Sequence, residues 1–142
     1  MSVNTTHFTS PLTQYEAEAF CARWLPAWTG NRPEALLEFY ARDAYYADPA
    51  VPDGLRGREA MAAYFAKLLA ANPRWIWETQ EVHCTPRGFT LKWHARIPTP
   101  GGVLEQDGLD IVEIADGVIT RNEVYFDRTP LLAALRAAGK EG

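Results

Sequence analysis

Phe39-Tyr40-Ala41-Arg42-Asp43-Ala44-Tyr45-Tyr46-Ala47-Asp48-Pro49 is answered late in the chain by Asp116-Gly117-Val118-Ile119, which runs on to Tyr125-Phe126-Asp127. The first stretch sets an aspartate at the end of a short aromatic strand, with proline directly after it. The second opens on Asp-Gly, the pair that suits a two-residue hairpin because both central positions take positive φ. It then feeds a strand ending on another carboxylate. Two acids at strand ends in a chain that is 12% aromatic point to a few polar groups in an apolar wall. That is the usual make-up of a small-molecule site.

Between these stretches the hydrophobic period is two. Phe89, Leu91, Trp93, Ala95 and Ile97 alternate with Thr90, Lys92, His94 and Arg96, which predicts a strand with one buried face. A strand over about 75–85 precedes it through Pro86-Arg87-Gly88. Thr99-Pro100-Gly101-Gly102 leads into a third over about 103–115, and the Asp116-Gly117 turn into a fourth over about 118–126. The first half is helical in period. Phe20, Trp24 and Trp28 recur every four residues in a helix over about 12–28, which Pro26 kinks or shortens. Asn31 caps a short second helix with Pro33 in its first turn. A short strand, about 44–47, and a Pro/Gly-rich loop, 49–57, follow. A third helix over about 58–71 carries Met61, Tyr64, Phe65 and Leu68 on one stripe. A last helix over about 131–138 stops at Gly139. Helices first and long antiparallel strands afterwards mean α+β, with an arm over residues 1–11 and one domain over 12–139.

Composition narrows the function. The chain has 142 residues, 47% hydrophobic and 23% charged, the balance of a folded domain with one core. Its net charge is −4, from 14 basic and 18 acidic side chains, and no basic cluster is present to neutralise phosphates. Nucleic acid is therefore not an expected partner. No apolar run approaches the ~18 residues of a membrane span, and Met1 to Ser10 lacks a signal-peptide pattern. Cys21 and Cys84 are expected as buried free thiols in a reducing cytoplasm. With His7, His83 and His94 they show no metal-ligand spacing, and no phosphate loop or dinucleotide fingerprint occurs. No metal or cofactor is expected.

Five segments in this order and spacing carry a resemblance: 39–44, Asp48-Pro49, 55–60 (Leu-Arg-Gly-Arg-Glu-Ala), 116–119 and 125–127. Over roughly Tyr15 to Gly139 the chain resembles the nuclear transport factor 2-like superfamily, in its SnoaL-like and ketosteroid isomerase-like branch. The resemblance implies a cone: a curved antiparallel sheet wrapped around N-terminal helices, enclosing an apolar pocket, commonly in a homodimer. The superfamily holds isomerases, hydrolases, cyclases, dehydratases and binding domains, so fold does not fix function.

Three aspartates are the expected catalytic residues. Asp48 matches the acid-proline step whose aspartate, in ketosteroid isomerases, is the general base beside a carbonyl. Its structural alternative is to initiate the turn after it. Asp110 shares strand parity with Val112 and Ile114 and loosely matches the isomerases' protonated aspartic acid, a donor to the oxyanion. A one-residue slip would instead expose it. Asp127 matches an aspartate of SnoaL-like polyketide cyclases and limonene-epoxide hydrolases; its alternative is to cap the last helix. The isomerases' tyrosine on the first helix is replaced here by Arg23, beside Trp24, with Tyr15 a possible substitute. The hydrolases need an arginine and an aspartate alternating on a middle strand, where this chain offers Lys92, His94 and Arg96.

Arg23, Trp24, Tyr46, Tyr64, Trp93 and Tyr125 are the expected binding residues, with Trp24, Tyr46, Tyr64 and Trp93 on one cavity. His94 and Lys92 are expected to face outward. The expected function is cofactor-free acid–base chemistry on a small apolar carbonyl- or hydroxyl-bearing molecule, of isomerase, aldol cyclase or dehydratase type. At least one of Asp48 and Asp127 is expected to open into the cavity among aromatic rings, with a raised pKa. The alternatives are a non-catalytic ligand-binding or assembly domain, an epoxide hydrolase-like enzyme, and a subunit paired with a different chain.

Overall fold

The computed structural model describes residues 11–141, and side chains through Ala137; the expected arm therefore lies almost wholly outside the described residues. Thr13 starts the first helix, α1 (Gln14–Trp24), through a capping box. Its hydroxyl accepts from the Glu16 N–H at 3.1 Å, and the Glu16 carboxylate accepts from the Thr13 N–H at 3.0 Å. Pro26 cannot donate to a helical ladder, and the chain tightens at Leu25–Trp28 into a 3-10 turn. The second helix, α2, is a single turn, Pro33–Leu37, preceded by Arg32. Asn31 is not its cap, because it takes a left-handed φ of 53° instead.

The strands are β1 (Tyr40–Asp48), β2 (Val51–Arg56), β3 (Ile76–Thr85), β4 (Gly88–Thr99), β5 (Gly102–Ala115) and β6 (Val118–Tyr125), with helix α3 (Arg58–Ala71) between β2 and β3. They form one curved, unclosed sheet in the order β2-β1-β6-β5-β4-β3. Two expectations are corrected here. The 49–57 segment is not a loop: Pro49-Ala50 turns β1 back into β2, which pairs Asp48 with Val51 and Tyr45 with Arg56. β2 is an edge strand, where Pro52, lacking an N–H, is tolerated. Nor is the sheet wholly antiparallel, since β1 runs parallel to β6. Asp116 and Gly117, at φ 53° and 80°, make the two-residue tip joining β5 to β6, with Ala115 opposite Val118. The last helix, α4, spans Thr129–Glu141 and continues through Gly139, which does not stop it.

The helices lie on one face of this sheet and supply an aromatic core. Phe20 of α1 packs on the rings of Trp24, Phe39 and Phe89. Phe65 of α3 touches Trp28, Tyr40, Tyr46 and Tyr64. Gln14 ties α1 to β3 by donating to the Val82 carbonyl at 2.9 Å. Met61, Phe65 and Leu69 are the fully buried stripe of α3, and Tyr64 and Leu68 sit half-buried beside it. Cys21 is buried, and burial pushes its thiol up to about 12; Cys84 is exposed, contrary to expectation.

β4 and β5 are held so closely at one end that Gly88 has no room for a side chain. A Cβ there would sit inside van der Waals contact of the Val112 carbonyl oxygen, which is backbone and cannot step aside. Gly88→Ala should cost about 1–3 kcal/mol, the range for overpacking a tight site. Urea denaturation checks this; an unchanged midpoint would contradict it.

Candidate active site

Between the helices and the inner face of the sheet lies a cavity of about 320 Å³. Trp28, Trp75, Trp77, Trp93 and Phe126 give it flat walls, and Leu131, Leu132 and Leu135 of α4 stand across one side. Leu135 is 52% exposed while lining it, so the cavity reaches solvent beside α4. Among the described residues two carboxylates reach this space, Asp48 and Asp110.

Asp48 is 8% exposed and divides its oxygens between two tasks. Oδ1 accepts from the N–H groups of Ala50 at 2.8 Å and Val51 at 3.1 Å. This is the Asx turn that closes the β1–β2 hairpin. Oδ2 accepts from the hydroxyls of Tyr46 and Tyr64, each at 2.7 Å. The turn and the cavity therefore use the same side chain. Burial pushes both tyrosines well above their ordinary pKa, and the Asp48 charge adds to it.

Asp110 is 4% exposed and faces the same space from β5. Its Oδ1 accepts from Trp93 Nε1 at 2.7 Å and its Oδ2 from Asn122 Nδ2 at 3.1 Å. Asn122 Oδ1 in turn accepts from the Tyr40 hydroxyl at 2.8 Å. Tyr40, Asn122, Asp110 and Trp93 stand on β1, β6, β5 and β4, four neighbouring strands of the sheet. Desolvation raises the Asp110 pKa to about 7 from 3.8; the two N–H donors oppose the shift, and the Asp48 charge adds to it. Trp93 can lie flat toward Asp110 because Gly108 is its cross-strand partner. A Cβ at 108 would collide with the indole ring.

The other expected residues lie elsewhere. Along β6 and just past its end the inward parity belongs to Asn122, Val124 and Phe126, so Tyr125 and Asp127 fall on the opposite side. Tyr125 is 55% exposed, and its hydroxyl donates to Glu123. Asp127 is exposed and accepts from the Thr129 N–H at 2.9 Å, ahead of α4; the Thr129 hydroxyl first, and then that N–H, hold its pKa below the ordinary value. Trp24 is buried in the core against Phe20 and Trp28 and does not line the cavity. Arg23 is exposed, 5.5 Å above the Phe20 ring. Tyr46, Tyr64 and Trp93 do line the cavity, whereas Tyr15 is 79% exposed.

His94, outside the cavity, is bonded to Asp107 and Glu105, both at 2.7 Å, and Lys92 lies 3.9 Å from Glu81. Among the described residues no group of three His, Cys, Asp or Glu side chains is arranged to hold a metal ion. No helix among them is long and apolar enough to cross a membrane.

The raised Asp110 pKa makes stability depend on pH. In the folded chain the buried carboxyl keeps its proton at pH values where the unfolded chain has lost it. Stability is therefore fully present below the ordinary pKa of 3.8 and falls as pH rises towards about 7. A shift of this size is worth up to about 4 kcal/mol. Asp110→Asn removes the titration, though its NH₂ must face one of two N–H donors and adds a constant cost. Urea denaturation from about pH 4.5 to about pH 8 should show the stability of the variant relative to the native chain improving with pH. A constant difference would show that Asp110 does not titrate in this window.

Three comparisons locate this geometry among known proteins. A sequence profile of the SnoaL-like domain matches residues 21–122. The steroid Δ-isomerase of Nocardioides simplex is 39% identical over 56 residues, which span 39% of this chain and 46% of that protein, so the match covers under half of the curated relative. A Catenulispora acidiphila protein of ketosteroid isomerase-like fold, crystallised in complex with trimethylamine, superposes with a TM-score of 0.71 at 21% identity. That alignment covers 81% of this chain and 90% of the other. A phenazine biosynthesis-related protein of Pseudomonas aeruginosa gives 0.67 at 24% identity, covering 84% of each chain. The two structures share the fold with this chain, and the profile match spans more than half of it: the chain belongs to the SnoaL-like domain family, within the nuclear transport factor 2-like superfamily.

Proposed function

We propose that the chain is a small-molecule enzyme that moves a proton beside a carbonyl without a cofactor, as isomerases, aldol cyclases and dehydratases do. The observation that carries this reading is the pair of carboxylates in one apolar cavity with unlike surroundings. Asp48 is held by four donors, whereas Asp110 sits in the sheet floor with its pKa pushed up to about 7. Two acids whose environments differ can divide the roles of base and acid. Asp48 would take the proton from the carbon next to the carbonyl. Protonated Asp110 would donate a hydrogen bond to the oxygen as it gains charge, and the proton would return to the product carbon from Asp48.

A binding-only role is favoured by one observation: Asp48 already accepts four hydrogen bonds within the protein, as a structural carboxylate does. Deuterium uptake separates the two readings. In deuterium oxide the native chain should exchange the methyl protons of an acetylnaphthalene, a flat aryl ketone suited to the aromatic walls. Asp48→Asn should bind it as before and lose ~10²-fold or more in exchange rate. Exchange should also decline as pH rises through about 7, because Asp110 then loses the proton it donates. Bound ketone with no exchange above the buffer rate would leave the binding-only reading.

We also propose that the chain pairs with itself through the outer face of the sheet. Ile76, Leu109 and Tyr125 are large, exposed and on that face, since they lie opposite Arg96, Lys92 and Leu109. Sedimentation at micromolar concentration should give the mass of two chains; a monomer there would refute this pairing.

A further inference from the structure

Among the described residues that line the cavity, Arg128 is the one with a permanent positive charge. It lies between the end of β6 and α4, half-buried, just ahead of the helix whose Leu135 lines the cavity while open to solvent. Lys92, His94, Arg96 and Arg121 each stand within reach of a carboxylate on the outer face. Arg128 makes no ion pair with any described carboxylate. Asp48 makes no direct ion pair with it, and its oxygens accept instead from Tyr46, Tyr64 and two backbone N–H groups. The guanidinium is nonetheless close enough to be felt. Its charge lowers the proton affinity of Tyr64, against the larger upward effects of burial and of Asp48.

A half-buried guanidinium without a carboxylate partner among the described residues costs solvation that an incoming anion would recover. Its planar fork suits a carboxylate, which it binds through two parallel N–H···O bonds. We propose that Arg128 binds a carboxylate of the ligand, so that the cavity takes a flat apolar acid with its charged end at the opening along α4. The orientation of its other end, with a carbonyl between Asp48 and Asp110, rests on the acid–base reading above. The carboxylate contact does not. A cationic ligand would suit the aromatic walls and the two aspartates, but it would be repelled by Arg128.

Titration of the tryptophan fluorescence with three probes of one shape tests this: an acetylnaphthoate, the neutral acetylnaphthamide and the cationic aminomethyl analogue. The naphthoate should bind the native chain at least ~10-fold more tightly than the amide, the scale of one charge-assisted contact, and the amine most weakly. Arg128→Gln should abolish the preference and Arg128→Lys should keep part of it. Both variants should melt near the native temperature, because no ion pair with a described carboxylate is removed. Asp48→Asn should leave the preference intact. Equal binding of naphthoate and amide, tighter binding of the amine, no detectable naphthoate binding at millimolar concentration, or a preference that survives Arg128→Gln would each overturn the proposal. A naphthoate preference without deuterium exchange would sink the acid–base reading alone.

Discussion

A thread of hydrogen bonds between side chains crosses the inner face of the sheet, and the site depends on it. Tyr40 donates to Asn122, Asn122 to Asp110, and Trp93 to Asp110 from the other side. Tyr40, Asn122, Asp110 and Trp93 are all buried, so each donor or acceptor that lost its partner would bear the full cost of desolvation. The thread therefore does more than occupy space. It penalises any slip of β6 against β5 or of β5 against β4, because a one-residue shift would turn one member to the outer face. It also keeps a carboxyl in an apolar floor without a cation beside it. Register and chemistry are specified by the same atoms.

Asp48 shows the same economy at the other end of the cavity. Its Oδ1 closes the β1–β2 turn and its Oδ2 meets two phenols. Since the turn fixes the side chain, the carboxylate has no rotamer freedom left to lose when a ligand arrives. Phe65, in contact with the rings of Tyr46 and Tyr64, holds both phenols from behind. What surrounds the candidate base is therefore core packing as much as site.

The parts of the structure legible in the sequence are those with a simple period. The alternation from Phe89 to Ile97 became β4, Asp116-Gly117 became the hairpin tip, and the parity of Val112 and Ile114 carried Asp110 inward. The rest was obscured for identifiable reasons. Pro52 and Gly54 disguised β2, because breaker residues read as loop although an edge strand admits them. Along β6 and just past its end, an acid and a phenol at Asp127 and Tyr125 alternate with Val124 and Phe126, and the apolar pair, not the polar one, sets the inward face. Asn122 gave no signal, since a single polar residue on an apolar face looks like an interruption. Arg128 follows the strand in an irregular segment, where no period applies. Only the fold reveals that it borders the cavity.

The missing side chain at Gly108 has a consequence for how this cavity can change. Gly108 and Trp93 face each other across β5 and β4, and the indole occupies the space a Cβ would need. Neither position can be altered alone without loss: a larger residue at 108 displaces the ring, and a smaller one at 93 leaves a void and an orphaned Asp110 oxygen. The two positions constitute one packing decision, strongly coupled and far from additive. A wider or differently shaped chamber is reached in this lineage only by exchanging both residues together, with a new donor found for Asp110 in the same step.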